Sequence, residues 1–546
     1  MRRGPKLRAV AGLALTLAVA GCTTVPSPSP SHSNPAATTE FRFGTAADPM
    51  GLDPSLVSDV DSTRVTRQIF EGLVTVDPNT SKPAPALATS WKQIDNGFGY
   101  TFTLRDKVTF QDGTPFNADA VCFNFERWFH LPTASGGAAI PQTFKDVFRT
   151  FSDDPQNSTY KSCRADDDHT VTISMNSAPS NFLSALTQPA FAIASPTALK
   201  NEHADVIDQT QGAHKVSSFA LNPVGTGPFT LSSWKNGIVG LSQNAQYWGT
   251  RGQVKTVQLV TYAQPQARLQ ALMRGDIDGY DFVTADNLNT LVKGGMQVMQ
   301  RDPFSVLYLG LNQAIPALSD LKVRQAIAQG LDKESIVKAF FIDGSAKTSQ
   351  FVPSKLSGFN NQVAGLPFDR AKAKKLLAES SYKGEPLPFY YPLNVTRPYL
   401  PTPEKVYAEI AAELTDIGFT IKPVPVDWTE DYVGKITADK NHAFYLLGTN
   451  GTYADPDSFL GPLFGQPNAA LGYNDPQTIS KISRARTLTD GPDRVQAYQD
   501  INKELADSLP AVPIAVPISA LALSPRVGNY PVNPMLQEVF NTITLS

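Results

Sequence analysis

An α/β protein with more than one lobe is the architecture this sequence predicts, and three observations predict it. The chain has 546 residues, 41% of them apolar and 10% aromatic, enough to bury a large core. At about 100 to 200 residues per domain this length divides into two or three folding units. Tyr100-Thr-Phe-Thr-Leu104 alternates with period two, as a half-buried strand does. In the second half, segments with helical spacing are followed by strand-like runs, the order that builds lobes on open sheets.

Arg2, Arg3, Lys6 and Arg8 precede an apolar run from Ala9 to Ala20, a charged region followed by a secretory hydrophobic region. A run of twelve residues is too short to span a bilayer, which needs about 20. Residues 1–21 therefore read as a signal peptide. Val19-Ala20-Gly21-Cys22 resembles the bacterial lipobox, which implies cleavage before Cys22 and acylation of its thiol. Residues 22–40, rich in Pro and Ser, read as an extended tether.

Beyond the tether, Val108–Phe110 reads as a short strand running into the Asp112-Gly113 turn, and Asn117 is placed to cap a helix through Glu126. Ser319 is expected to cap a helix through Leu331, and Asp369 one through Leu377. Thr402-Pro403 opens a helix with Val406, Ile410 and Leu414 on one face, Gly418 ends it, and Thr420–Val426 is the strand that follows. The two cysteines left after Cys22, Cys122 and Cys163, read as a disulfide in an oxidising compartment.

Composition also excludes functions. With 47 Lys+Arg against 50 Asp+Glu there is no basic footprint for nucleic acid. Loss of the signal peptide removes four basic and no acidic side chains, leaving 43 against 50 and a formal charge of −7. Such a surface has no attraction to anionic lipid, so membrane contact is expected through the lipid anchor only. No G-x-S-x-G, H-E-x-x-H, Walker A loop or paired C-x-x-C occurs. The six histidines never fall at i,i+4, which leaves a helical zinc pair unsupported. Gly225-Thr-Gly-Pro-Phe229 lacks the third glycine of a dinucleotide loop and reads as a turn, and Gly275-Asp-Ile-Asp-Gly279 lacks the length of a calcium loop. No cofactor and no metal are expected.

Long stretches carry a resemblance. Ala86–Trp91, Tyr100–Asp106 and Asp112-Gly-Thr-Pro-Phe-Asn-Ala-Asp-Ala-Val121, followed by Pro223–Phe229, Ala271–Gly279, Val323–Ile327 with Leu331-Asp332, and Leu509–Ile514, are similar to the peptide/nickel cluster of extracytoplasmic solute-binding proteins that serve ABC importers. The similarity spans about residues 41–546. It implies a periplasmic-binding-protein-like clam-shell with two hinge crossings and an extra subdomain in lobe one. The expected boundaries are 41–304 for lobe one, with the inserted subdomain at about 65–215, 305–510 for lobe two, and 511–546 returning to lobe one. The crossings are expected near Val306–Asn312 and Val512–Pro517.

The resemblance also implies a ligand site. Arg397-Pro398-Tyr399 is similar to the segment whose arginine takes the peptide carboxylate in dipeptide-binding members, a task suited to a planar fork of N–H donors. Trp428 matches a tryptophan that packs on a ligand side chain. Thr452 stands where those members place an aspartate for the ligand's α-ammonium. Either Asp455 or Asp48 supplies that charge from elsewhere, or the ligand has a neutral end, for which Asn450, Thr452 and Tyr453 are polar partners.

These readings converge on a monomeric lipoprotein that binds peptides or peptide-like solutes outside the membrane and delivers them to the permease and ATPase of an ABC importer, catalysing no reaction. A non-peptide solute in the same fold (an oligosaccharide, a metal complex or haem) is the alternative. A secreted hydrolase is the reading from another class.

Overall fold

The computed structural model describes residues 39–546 except Asn79 and Ala213. The signal segment 1–21, Cys22 and nearly all of the tether lie outside the described residues. No helix among the described residues is long and apolar enough to cross a membrane.

Two sheets organise the chain, one for each lobe. The first has seven strands in the spatial order Phe229–Lys235, Ile238–Gln243, Thr256–Thr261, Glu40–Thr45, Gly279–Asp281, Ala520–Leu523 and Gln297–Gln300. Glu40–Thr45 is a central strand, parallel to both neighbours, and Phe41 and Phe43 are fully buried with Val257, Leu259 and Phe540. Burial on both faces matches what parallel pairing requires. The second sheet has six strands, with Ser305–Leu311 between Ala511–Val516 and Phe444–Asn450, then Leu387–Leu393 and Ile421–Asp427 toward one edge. Every residue of Ser305–Leu311 is buried.

The chain passes between the sheets twice. It leaves the first at Gln300 and enters the second at Ser305, then leaves the second at Val516 and re-enters the first at Ala520. Residues 301–304 and 517–519 are thus the two crossings. The segments Val306–Asn312 and Val512–Pro517 lie beside them, almost wholly in the adjoining antiparallel strands.

A four-stranded antiparallel sheet, Ala88–Ile94, Gly99–Leu104, Thr170–Met175 and Tyr160–Asp167, belongs to the chain between the first strand of lobe one and its return at Phe229. The Ala118–Ala134 helix packs on it through Phe125 and Trp128. Asn117 caps this helix through a bond from the Ala120 N–H at 3.0 Å. Cys122 on the helix and Cys163 on the neighbouring strand form a disulfide. Val108–Phe110 is not a full strand. It closes a tight turn in which Phe110 N–H donates to Thr114 O at 2.8 Å and Phe116 N–H to Val108 O at 3.0 Å.

Lobe two follows the sequence closely. Pro403–Ile417 is a helix with Val406, Ile410 and Leu414 fully buried, and Gly418 ends it in the left-handed conformation at φ 115°. Thr402 occupies the cap position without a side-chain bond. Asp369 caps the Arg370–Ala378 helix. The cap of Leu321–Gly330 is Asp320 and not Ser319, because the Asp320 carboxylate reaches both the Lys322 N–H at 2.9 Å and the Ser381 N–H at 2.8 Å. Ser319 instead closes a short preceding helix, Pro316–Ser319.

Two motifs that suggested ligands prove structural. Gly225 and Gly227 press against the end of the Val60–Ile69 helix, where a Cβ on Gly225 would lie 2.3 Å from the Ile69 carbonyl oxygen. Gly227 N–H donates to that same oxygen at 2.8 Å. In Gly275–Gly279 the acids face arginines: Asp278 holds the Arg526 guanidinium at 2.6 and 2.8 Å, and Asp276 takes Arg274. Among the described residues no group of His, Cys, Asp and Glu could hold a metal ion.

Candidate functional site

The site starts from a turn and a helix end. After the strand Leu387–Leu393, Pro398 and Tyr399 fold the chain back so that Arg397 and Leu400 exchange backbone hydrogen bonds at 3.1 and 3.0 Å. This tight turn fixes Arg397, which is 3% exposed, on the inner side of lobe two. Its guanidinium carbon lies 4.2 Å from the Trp428 ring centroid, within cation–π range. Trp428 in turn stacks on Tyr432 with centroids 5.9 Å apart.

Lobe one presents the start of the Val60–Ile69 helix to this surface. Asp59 is the helix cap and accepts from the Ser62 N–H at 2.9 Å, and Asp61 stands in the first turn. Acids are favoured there by the helix dipole. Arg397 Nη1 donates to Asp61 Oδ2 at 2.6 Å, with the two side chains 4% and 1% exposed. Burial alone would lower the Arg397 pKa, but the Asp61 carboxylate more than reverses this and the guanidinium stays charged. Burial, reinforced by Asp61, pushes the Asp59 carboxyl above its ordinary range. Burial also pushes the Tyr399 phenol up to about 12.

Between these two surfaces lies a cavity of about 470 Å³. Met50 and residues 56–60 line it from lobe one, and Arg397, Tyr399, Trp428, 431–434, 447–450 and Thr452 from lobe two. Gly448 makes room for an aromatic wall, since a Cβ there would lie 2.1 Å from Tyr399 Cγ. The lobes touch around the cavity. Gln264 Nε2 donates to Asn394 Oδ1 at 2.8 Å, Gln537 Nε2 to Thr452 O at 3.1 Å, and Lys405 pairs with Asp286. The cleft is closed.

Five residues singled out from the sequence, Arg397, Tyr399, Trp428, Asn450 and Thr452, line this one cavity. Thr452 is partly engaged, its backbone N–H donating to Ser458 Oγ at 2.8 Å and its hydroxyl 3.3 Å from the same oxygen. Tyr453, Asp455 and Asp48 lie elsewhere. Tyr453 is buried behind the cavity wall, where its hydroxyl sits 3.2 Å from Asp457 Oδ2 and accepts from Asn181 of the inserted subdomain. Asp455 is held by Arg494 through contacts of 2.8 and 2.9 Å, and burial raises its pKa in spite of that partner. Asp48 accepts from the Trp234 indole N–H at 3.2 Å, with its own pKa raised by burial. Sequence reasoning missed Asp59 and Asp61. The signal present was a cap position followed by an acid in the first turn, which marks a helix start but not what that start faces.

Residues 82–470 match the family of bacterial extracellular solute-binding proteins, family 5 Middle, and the chain belongs to that family. It is a solute-binding protein with the fold of a peptide/nickel ABC substrate-binding protein. It is similar to Heme-binding protein A of Haemophilus influenzae, 28% identical with 99% of each chain covered. It is likewise similar to the dipeptide-binding protein of Escherichia coli, 27% identical over 92% of this chain and 94% of the relative. Among solved structures, the dipeptide-binding protein from Pseudoalteromonas sp. SM9913 in complex with Met-Leu has a TM-score of 0.83, with 24% identity, covering 93% of this chain and all of that one.

Proposed function

We propose that this protein is the lipid-anchored receptor of an ABC importer and that it captures a short peptide or peptide-like solute in the cavity around Arg397. The observation that carries this is the pairing of a buried, permanently charged arginine with a tryptophan and a tyrosine in a closed cleft between two lobes. Asp61 takes Nη1 of Arg397, while Nε is buried with no partner. That second edge of the guanidinium is the one a ligand carboxylate would take, through two parallel charge-assisted bonds. Trp428, Tyr399 and Leu447 supply apolar surface for a side chain, and a cavity of about 470 Å³ has the size of a small-ligand site. Residues 41–304 with 511–546 act as one lobe and 305–510 as the other, with the inserted subdomain at about 65–215. Opening at 301–304 and 517–519 admits the solute, and closure gives the permease a shape to read. Acylated Cys22 and the 22–40 tether hold the protein at the outer face of the membrane.

The likeness to a relative named for haem binding favours a second reading, a haem carrier. The cavity lining contains no histidine or cysteine, and its candidate axial donors are Met50, Tyr399 and Tyr432. The two readings separate in one experiment. A ligand that binds only the folded state raises the melting temperature, so the mature protein is heated with short peptides, oligosaccharides and haem in turn. Stabilisation by peptides alone supports the peptide reading. Stabilisation by haem, with a visible absorbance band, overturns it.

A further inference from the structure

The cleft holds hydrogen-bonding capacity that the protein does not satisfy. Asp59 Oδ1 is used by the Ser62 N–H, but Asp59 Oδ2 is buried without a partner. Asp61 Oδ2 is used by Arg397, but Asp61 Oδ1 is buried without a partner. Across the cavity Asn450 Oδ1 is a third buried acceptor with no donor. The large majority of buried side-chain polar atoms in folded proteins have a hydrogen-bond partner. Asp59 and Asn450 line the same cavity from opposite lobes.

Charge points the same way. Two carboxylates, Asp59 and Asp61, act on each other; Arg397 acts on both, and the buried Arg268 guanidinium also acts on Asp61. Arg397 is paired with Asp61 and Arg268 also acts on Asp61, so Asp59 is the carboxylate without an ion pair among the described residues, and an unpaired buried charge is strongly unfavourable. The neutral side chains of Thr452 and Asn450 on the facing wall cannot supply a partner cation. The described residues offer no metal-binding cluster, and Asn450 needs an N–H donor. The missing group is therefore a cation that donates several hydrogen bonds, which describes a primary ammonium.

We propose that Asp59 is the specificity residue for a ligand ammonium, with the Asn450 side-chain carbonyl as its second acceptor and Asp61 holding Arg397 in place beside it. This rests on the reading of the cavity as the solute site and deepens it. The ligand carries a free amino group at the end that meets lobe one, and a carboxylate at the Nε edge of Arg397 would make it a zwitterion. The Asp59 contact falls on the lobe opposite Arg397, so a zwitterionic ligand would bridge the lobes by its two charges and favour the closed form.

The test uses Met-Leu and Ala-Ala, their N-acetyl derivatives and 1,5-diaminopentane, titrated calorimetrically into the mature protein and the Asp59→Asn variant. Asparagine caps a helix as well as aspartate does, so the variant keeps the Ser62 bond while losing the charge, and its melting temperature checks the fold. The expected result is a preference for free over acetylated ends of about a hundredfold, collapsing to within about threefold in Asp59→Asn. Equal binding of free and acetylated peptides, or a preference that survives the substitution, overturns the role of Asp59 while leaving the peptide reading standing. Binding of diaminopentane but of no peptide, lost in Asp59→Asn, supports the cation site and overturns the peptide reading. Binding of neither class overturns both.

Discussion

Arg397 and Asp61 are 336 residues apart in sequence, yet Arg397 Nη1 lies 2.6 Å from Asp61 Oδ2 across the closed cleft. Each lobe contributes one charge, so the pair exists only when the lobes meet. The cost of burying the two charges is met by their mutual attraction, and removal of one partner leaves the other uncompensated.

Arg397→Ala is expected to weaken closure and lower stability by about 3 to 5 kcal/mol in the closed state. The double variant Asp61→Asn/Arg397→Gln replaces the charges by a neutral hydrogen-bonding pair and should recover much of that loss. Melting temperatures of Asp61→Asn, Arg397→Gln and the double variant form a cycle that measures the coupling. Independent, additive effects would show that the pair contributes nothing.

Gly448→Ala should reduce ligand affinity with little effect on the rest of lobe two. The new methyl would sit 2.1 Å from Tyr399 Cγ, and overpacking of this kind costs about 1 to 3 kcal/mol. The ring must move, and it moves within the cavity wall. Titration of any ligand found in the panel, compared between Gly448→Ala and the unchanged protein, reads this directly.

Stability should vary with pH through Glu413. Its two carboxylate oxygens accept the Asp332 N–H at 3.2 and 3.1 Å, and burial pushes its pKa from 4.5 up to about 7. Between those values the folded state holds a proton that the unfolded chain has released. Stability from this group is therefore present below pH 4.5, falls as pH rises through the window, and is lost above about 7. Glu413→Gln should raise the melting temperature at pH 8 more than at pH 5.

Loss of the disulfide should loosen the inserted subdomain. Cys122 and Cys163 close a loop of 42 residues, for which chain entropy gives up to about 4 kcal/mol. Cys122→Ser/Cys163→Ser is expected to lower the melting temperature, and reductant should do the same to the unchanged protein but not to the variant.

Local chemistry made much of the fold legible. Gly418, Asn117, Asp369 and the alternation at Tyr100–Leu104 act within a few residues of themselves, and the structure uses each as the sequence suggests. The cap at Asp320 was missed by one position because its second partner, Ser381, arrives from a distant segment. The cavity wall in lobe two was legible through Arg397, Tyr399, Trp428, Asn450 and Thr452, which sit on neighbouring strands and turns of one sheet. The lobe-one wall was not. Nothing local tells a helix start at Asp59 which surface it will face, and nothing local at Asp455 announces that Arg494 from the Pro492–Ser508 helix will claim it.

A calorimetric titration of short peptides into the mature protein and into Asp61→Asn/Arg397→Gln, with melting temperatures to check that the variant folds, decides whether Arg397 holds the solute. Saturable binding at one site is expected in the unchanged protein, with a loss of about a hundredfold or more without the arginine, the equivalent of about 2.8 kcal/mol. Equal affinity in the two proteins would contradict it and place the solute elsewhere.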